Sequence, residues 1–400
     1  MYMGIVKYPS ISHYWRTEPF YKNSFVPQIM SRNRFQLLLK FIHFSDNSLV
    51  GSDRLGKVSG LLEMLEHNFV NARRPGEILA VDESMIPWRG RLQFRQYNPG
   101  KAHKYGVKVY KLCDPSGYTY TSSVYAGKNG SLHQRGRPTT TTSHSTQIVL
   151  DLADNYLDHG RTLATDNFYT SVSLAKMLLA RKTHLIGTLR KNRIGNPKDV
   201  TMAKLKKSEI IGRENCSIVI SKWKDKREVL MLSTKHDLEQ ALTGKKTRQG
   251  EEITKLKVII DYNQAKQGID VSDQMACYFT PLRKTIRWYH KIAFEYLLST
   301  AVVNALVIYK STKNIPILEF RQSICEALCD IKLEQQPSTS NKKHKLKEFE
   351  TRDCTNRKTR KRCLSCYDNL SKTEGRSVAS KKAKKVSTFC SDCEGNPAFC

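Results

Sequence analysis

Three aspartates stand where carboxylates can do chemistry. Asp82 directly follows the apolar run Ile78 to Val81, Asp166 directly follows Thr162 to Thr165, and Asp270 lies in a helix-forming stretch just after Gly268. Hard divalent cations take oxygen ligands of this kind. A pair of such ions, one activating the attacking oxygen and one stabilising the leaving one, drives phosphodiester cleavage and transfer. Asp273 lies three residues beyond Asp270, so on a helix the two share a face, and the second carboxylate could reinforce the same ion or orient a ligand. An aspartate at a strand end is more commonly a turn or cap residue, so type and spacing leave both readings open.

Cations and thiols form two further groups. The segment Arg283-Lys284-Thr285-Ile286-Arg287-Trp288-Tyr289-His290 follows the last carboxylates. Its cations suit phosphates and Trp288 suits stacking on an unpaired base, the alternative being a core tryptophan with solvated neighbours. Arg89, Arg91, Lys101, Lys104 and Lys108 either line a DNA channel or decorate an exposed strand edge. Near the end, Cys363-x2-Cys366, Cys390-x2-Cys393 and then Cys400 have the spacing that lets paired thiolates reach one tetrahedral Zn2+. Cys113, Cys216, Cys277, Cys325, Cys329 and Cys354 are scattered, as in a reducing compartment.

The composition supports a polyanionic partner. Lys plus Arg number 67 against 37 Asp plus Glu, a net charge of +30, which repels itself unless neutralised; nucleic acid is the natural partner, and a basic soluble protein or one meeting anionic membrane is the bland alternative. The 400 residues allow two or three domains with a real core. No charged-then-apolar leader follows Met1, so secretion is not expected. The most apolar run, Ala293 to Tyr309, carries Glu295 and Asn304 and falls short of the roughly 20 apolar residues of a bilayer span, which predicts a buried core helix and no membrane segment.

Periodicity places these residues on elements. Met30 to Asn47 predicts a helix with Phe35, Leu38, Leu39 and Ile42 on one face, and a second follows at Leu61 to Ala72. The Arg73-Arg74-Pro75-Gly76 break ends this helical opening. Strands are expected at Ile78 to Val81, Gly106 to Leu112 and Tyr118 to Val124, as a meander. After a polar loop at Thr139 to Ser145, helices at Thr146 to Leu157 and Ser171 to Ala180 alternate with strands at Thr162 to Thr165 and His184 to Leu189, which predicts a mixed sheet flanked by helices. Arg190 to Gly250 reads as an insertion with β pieces at Cys216 to Ile220 and Val229 to Ser233 and a polar loop at Thr243 to Gly250, and Tyr262 to Tyr309 as helical. The basic, apolar-poor stretch beyond Leu333 reads as a flexible linker.

The longer motifs carry a family resemblance. Val81-Asp82-Glu83-Ser84-Met85-Ile86-Pro87-Trp88-Arg89-Gly90-Arg91 with Lys104-Tyr105-Gly106-Val107-Lys108 resembles the first catalytic block of piggyBac-type transposases. Thr165-Asp166-Asn167-Phe168-Tyr169-Thr170-Ser171 resembles the second, and Tyr262-Asn263 through Gly268-Ile269-Asp270-Val271-Ser272-Asp273-Gln274-Met275 the third. The resemblance implies an α/β fold: a ribonuclease H-like mixed-sheet core with flanking helices and an insertion. On that reading residues 1–76 form a helical dimerisation or DNA-binding domain, 77–190 and 256–332 the two parts of the core, 191–255 the insertion domain, 333–361 a basic linker and 362–400 a cysteine-rich zinc-binding segment.

The same resemblance implies a cut-and-paste DNA transposase. Asp82, Asp166 and Asp270 would hold two Mg2+ (or Mn2+), with Asp273 as a further carboxylate. Double-stranded transposon ends would be nicked, converted to hairpins and joined at TTAA by a homodimer. The cysteine cluster resembles the family's cross-braced zinc domain, whose second zinc needs ligands beyond Cys400, and the family's acidic N-terminal extension is nearly lacking here. The alternative is therefore a domesticated or decayed DNA-binding derivative without transposition activity. The basic runs Arg357 to Arg362 and Lys381 to Lys385 suit nuclear import, which makes the nucleus the expected location.

Overall fold

The computed structural model describes residues 1–400 except 49, 102, 128–141, 247–249, 251, 336–345, 353–355, 392–396 and 400. The chain divides into two compact units, Met1–Cys329 and Asp330–Cys400.

A nine-stranded mixed sheet organises the first unit. Its strands are β1 (Ile78–Pro87), β2 (Gln96–Tyr97), β3 (Tyr105–Cys113), β4 (Thr119–Val124), β5 (Thr162–Thr165), β6 (His184–Thr188), β7 (Ile210–Asn215), β8 (Ile218–Lys224) and β9 (Glu228–Ser233). They run in the order β2-β3-β1-β5-β6-β9-β8-β7, with β4 also on β3. The expected meander is present as β1-β3-β4, antiparallel throughout. β1, β5 and β6 are parallel neighbours, as strand–helix alternation requires. The stretch read as an insertion supplies β7 to β9, which extend this same sheet past β6. Of the expected polar loop, Thr243 to Lys246 belong to the strand Gln240–Lys246, which pairs antiparallel with Glu252–Leu256, and residues 247–249 lie outside the described residues.

β1 continues to Pro87, well past the expected end at Val81, for a physical reason. Its parallel register with β5 stops at Val81↔Thr165, but on the other edge β3 keeps pairing it antiparallel from Ala80↔Cys113 to Pro87↔Gly106. The run of apolar residues ends at Val81 because the strand loses one neighbour there, while its backbone stays in the ladder.

Strand side chains alternate between two packed faces. On one, Leu79, Val81, Tyr110, Leu112, Leu163 and Leu185 meet Ile148, Val149 and Leu152 of the helix His144–Ala153 and Leu174, Ala175 and Leu178 of the helix Val172–Ala180. On the other, Ala80, Cys113, Ala164 and Ile186 meet Ile259, Tyr262, Ala265 and Ile269 of the long helix Lys257–Cys277. Ser143 and Ser171 cap the first two helices by accepting from the Thr146 and Leu174 amides, so those helices start at the residues their capping chemistry selects.

The long helix is seated by small and polar residues. A Cβ placed on Gly268 would lie 2.0 Å from the Asp114 carbonyl oxygen, so only glycine lets the helix meet the β3–β4 turn this closely. That turn runs through Gly117 at φ +90, and buried Asp114 is paired with Arg73 at 2.9 Å. Ser272 Oγ lies 3.3 Å from Thr119 Oγ1, and Asn304 accepts from the Thr119 amide and donates to its carbonyl, each at 2.8 Å.

The N-terminal helices are Arg32–Phe41, capped by Ser31, and Ser59–Ala72. Arg32–Phe41 is shorter than its amphipathic pattern: Phe35 packs on Trp15, whereas Leu37, Leu38 and Phe41 are exposed. Trp288–Tyr309 is long and apolar enough to cross a membrane by length and composition, and half of its most apolar stretch is buried inside the molecule. It holds a π-helical turn, Tyr296–Thr300, where the buried Arg321 donates to the Leu298 carbonyl.

Asp330–Cys400 is the second compact unit. Leu346–Glu348 pairs with Thr388–Cys390, and Lys361–Arg362 with Lys385–Val386, so parts of the two basic runs face each other across a small ladder. Cys363 and Val386 lie in its small core with Ala398.

Replacing Gly268 with alanine tests the seating. On an exposed helix that change stabilises by up to about 1 kcal/mol; against the Asp114 backbone it should instead destabilise, by roughly 1–3 kcal/mol. Urea unfolding of the variant reads the sign, and a gain in stability would show the helix is not held at this distance.

Candidate active site

The sheet register brings Asp82 and Asp166 to one place. Val81 and Thr165 are the last parallel partners of β1 and β5, and each aspartate is the next residue. Ala80 and Ala164, two positions earlier, face the long helix, so alternation turns both carboxylates toward that helix as well. Asp82 stands inside β1, not after its end as the apolar run suggested.

Local sequence fixes each carboxylate. Asp82 Oδ1 accepts from the Glu83 amide at 2.8 Å. Asp166 Oδ1 accepts from the Phe168 amide at 2.9 Å, and its carbonyl accepts from the Thr170 hydroxyl at 2.7 Å. Thr170 also meets Thr165 Oγ1 at 2.8 Å. The Thr165-to-Ser171 motif is thus an Asx turn closed by paired threonines and released into a helix by Ser171.

Electrostatically the pair is strained. Burial, then the charges of Glu83 and Asp166, push the Asp82 carboxyl up to about 7 against the pull of Lys101 and the Glu83 amide. Burial and Glu83 also raise Asp166, against its backbone hydrogen bonds and Arg190. Tyr262 reports on the site from the long helix: burial pushes its phenol up to about 12 despite a hydrogen bond with Thr188, and the charges of Asp166, Asp82 and Asp270 add to the rise. All three aspartates therefore act on one phenol. Asp270 itself is exposed at the flank of the helix. Among the described residues no group of three His, Cys, Asp or Glu side chains is gathered closely enough to hold a metal ion.

Asp273 is engaged elsewhere. Its Oδ1 takes the Lys111 ammonium at 2.9 Å, with the Lys111 side chain 5% exposed. Burial would lower the Lys111 pKa, but Asp273, then Cys113 and Glu295, hold it above the ordinary lysine value. The Cys113 thiol beside it is pushed up to about 12 by burial.

The basic candidates divide sharply. Lys101 Nζ donates to the Glu83 carbonyl at 2.6 Å, beside Asp82. Lys108 lies over the Tyr110 and Phe168 rings at 5.6 and 5.8 Å. Arg89, Arg91, Lys104 and Lys284 are exposed. Arg283 stacks on Tyr14 at 5.1 Å and donates to the Tyr8 carbonyl, and Arg287 donates to the Lys40 carbonyl. Trp288 is half-buried and packs edge-on against Phe94 at 5.3 Å and Tyr289 at 5.9 Å. Cys363 and Cys390 are buried and Cys366 half-buried, with Cys363 and Cys366 in one cluster; Cys393 and Cys400 lie outside the described residues.

Sequence reasoning missed three side chains at the site. Arg190 stands two residues beyond the end of β6; it donates to Asn167 Oδ1 at 3.0 Å and lies over Phe168 at 5.9 Å. Tyr169 donates to Glu83 Oε2 at 3.2 Å. Lys111 is the register partner of Asp82. The parallel pairing of β5 with β6 is what brings Arg190 alongside, and no local pattern announces which strands are neighbours.

Comparison with known proteins places the chain in a family. A family model described as Transposase IS4 matches residues 1–306, a span that includes the whole nine-stranded sheet. The chain belongs to this family, as a piggyBac-type member. PiggyBac transposable element-derived protein 2 of Homo sapiens is 23% identical over 364 residues, covering 87% of this chain and 60% of that protein. PiggyBac transposable element-derived protein 3 of Homo sapiens is 24% identical over 346 residues, covering 80% and 56%. The chain thus spans less than two thirds of these relatives' length. A cryo-EM structure of a piggyBac transposase synaptic complex with hairpin DNA superposes with a TM-score of 0.71 at 25% identity, over 85% of this chain and 71% of that one.

The raised Asp82 carboxyl makes a stability prediction. Its folded pKa of about 7 lies above an unfolded value of about 4, so between these pH values the folded state binds more protons and stability falls as pH rises. Each tenfold change in proton affinity is worth about 1.4 kcal/mol. In metal-free buffer at pH 8, Asp82→Asn should therefore be more stable than the parent by roughly a few kcal/mol, and the gain should shrink toward zero near pH 4. Urea midpoints at the two pH values check this; a variant that is less stable at pH 8 would contradict it.

Proposed function

We propose that this chain is a metal-dependent DNA transposase whose Asp82, Asp166 and Asp270 hold two Mg2+ ions and whose reaction is cut-and-paste strand cleavage and transfer. The observation that carries the reading is the Val81↔Thr165 register, which sets Asp82 and Asp166 side by side on adjacent parallel strands, under the long helix that bears Asp270. The donor set fits the ions in kind: the groups are hard carboxylate oxygens, and two of them are raised by burial and by neighbouring acids, a repulsion that a divalent cation relieves. When bound, such ions polarise the phosphodiester and favour an oxygen nucleophile at neutral pH. Completing the set requires the exposed Asp270 carboxylate to come in from the flank of the helix.

The strand order supports a ribonuclease H-like core: β4-β3-β1-β5-β6, with β3 antiparallel and β1, β5 and β6 parallel. In the proposed reaction Asp82 and Asp166 orient the scissile phosphate, and Lys101 and Arg190 meet the strand's non-reacting phosphates. Exposed Arg89, Arg91, Lys104 and Lys284 extend that path, with Lys108 along it, and the +30 charge supplies the attraction. The superposed synaptic complex holds hairpin DNA, which supports hairpin intermediates; TTAA targets and action as a homodimer are what the resemblance to piggyBac-type transposases implies. Cys363, Cys366 and Cys390, joined by Cys393 and Cys400, would take Zn2+ in the C-terminal unit. The basic runs around Arg357 and Lys381 would direct the protein to the nucleus.

The test is strand cleavage of a hairpin-forming DNA end flanked by TTAA. With Mg2+ the parent should cleave, and Asp82→Asn, Asp166→Asn and Asp270→Asn should each lose on the order of a thousandfold in rate, the loss expected when a metal that stabilises the transition state is no longer held, while still binding the DNA. Tight binding without cleavage by the parent would instead favour a domesticated DNA-binding role.

A further inference from the structure

Asp273 shares a helical turn with Asp270 yet is committed to a partner of its own. Lys111 stands opposite Asp82 in the β1–β3 register, and its nearly buried ammonium meets Asp273 Oδ1 at 2.9 Å. The same stretch of the long helix makes two other fixed contacts with the β3–β4 hairpin: Gly268 against the Asp114 carbonyl and Ser272 against Thr119 at 3.3 Å. Positions 268, 272 and 273 thus bind the helix to the hairpin, and Asp270 lies among them on the open flank.

We propose that Lys111 is a positioning residue: by pairing with Asp273 it withdraws that carboxylate from the metal site and fixes the turn from which Asp270 reaches the ions. This rests on the reading of Asp82, Asp166 and Asp270 as metal ligands. Removing Asp273 leaves the Lys111 charge uncompensated in a nearly buried place, and removing Lys111 frees a half-buried Asp273 carboxylate; in either case the turn relaxes to solvate the charge that remains. A ligand displaced by about 1 Å costs rate far more than binding, on the order of a hundredfold.

A double-mutant cycle on the full chain tests this with Lys111→Met, Asp273→Asn, the pair combined, and Lys111→Arg. Each uncompensated single variant should lower kcat for cleavage of the hairpin-forming end by roughly 10–100-fold, with KM for DNA within about twofold of the parent. The combined variant, which removes both charges of the pair together, should recover to within about fivefold of the parent, and Lys111→Arg, which keeps the cation, should lose least. Mn2+ binding, read by the paramagnetic resonance of free ion, should be near parental in the combined variant and lost in Asp270→Asn. A combined variant as inactive as Asp273→Asn, with Mn2+ binding lost in both, would make Asp273 a ligand and overturn the proposal. Should the parent neither cleave nor bind Mn2+, the transposase reading fails separately. Thermal unfolding of the parent, the two uncompensated single variants and the combined variant then decides the tie by itself: non-additive losses support it, and additive losses refute it.

Discussion

Two acids at the ends of adjacent parallel pairings cannot avoid each other, and the molecule is organised around that constraint. Once Val81 pairs with Thr165, Asp82 and Asp166 must follow side by side, facing a packed helix. Each carboxyl is raised by burial and by neighbouring acids, so the bare site works against folding. The two cores on either face of the sheet hold the strands in register despite it. On the proposed reading a divalent cation bound here would convert that repulsion into attraction.

The surrounding contacts have the character of fixtures. Gly268, Ser272, Asp273 and Asn304 each meet the β3–β4 hairpin or its edge through a polar or steric contact that tolerates little displacement. Hydrophobic packing alone could seat the long helix over Ala80, Ala164 and Ile186, but small apolar side chains permit sliding. The contacts of Gly268, Ser272 and Asp273 set its register along the sheet. Basic residues divide by the same logic: Arg73 and Arg283 have become part of the scaffold, whereas Lys101 and Arg190 remain beside the acids.

Much of this is legible in the sequence. The helix–strand order from Ile78 to Leu189, the β1-β3-β4 meander and the three aspartate blocks follow from apolar periodicity, turn chemistry and motif. The apolar pattern puts Asp82 at a strand end because it reports burial, and burial stops where β5 stops while the β3 ladder continues. Between Ile210 and Ser233 the sequence reveals β pieces at Cys216 to Ile220 and Val229 to Ser233 but neither β7 nor the joining of these strands to the central sheet, since strand order is a long-range property. The roles suggested for Arg283 and Trp288 meet competition from Tyr14 and Phe94, partners far away in the chain. Lys111 and Arg190 carry no local signal at all; only cross-strand register sets them beside the acids.

The convergence of Asp82, Asp166 and Asp270 on shared ions is open to direct observation. Crystals of the full chain grown with Mn2+ and examined by anomalous scattering would locate the metal without reliance on activity. The account predicts density coordinated by the carboxylates of Asp82 and Asp166, with Asp270 drawn in from its exposed flank to complete the shell and Asp273 still on Lys111. Manganese bound at saturation elsewhere, with Asp270 turned to solvent and the first two aspartates empty, would contradict it.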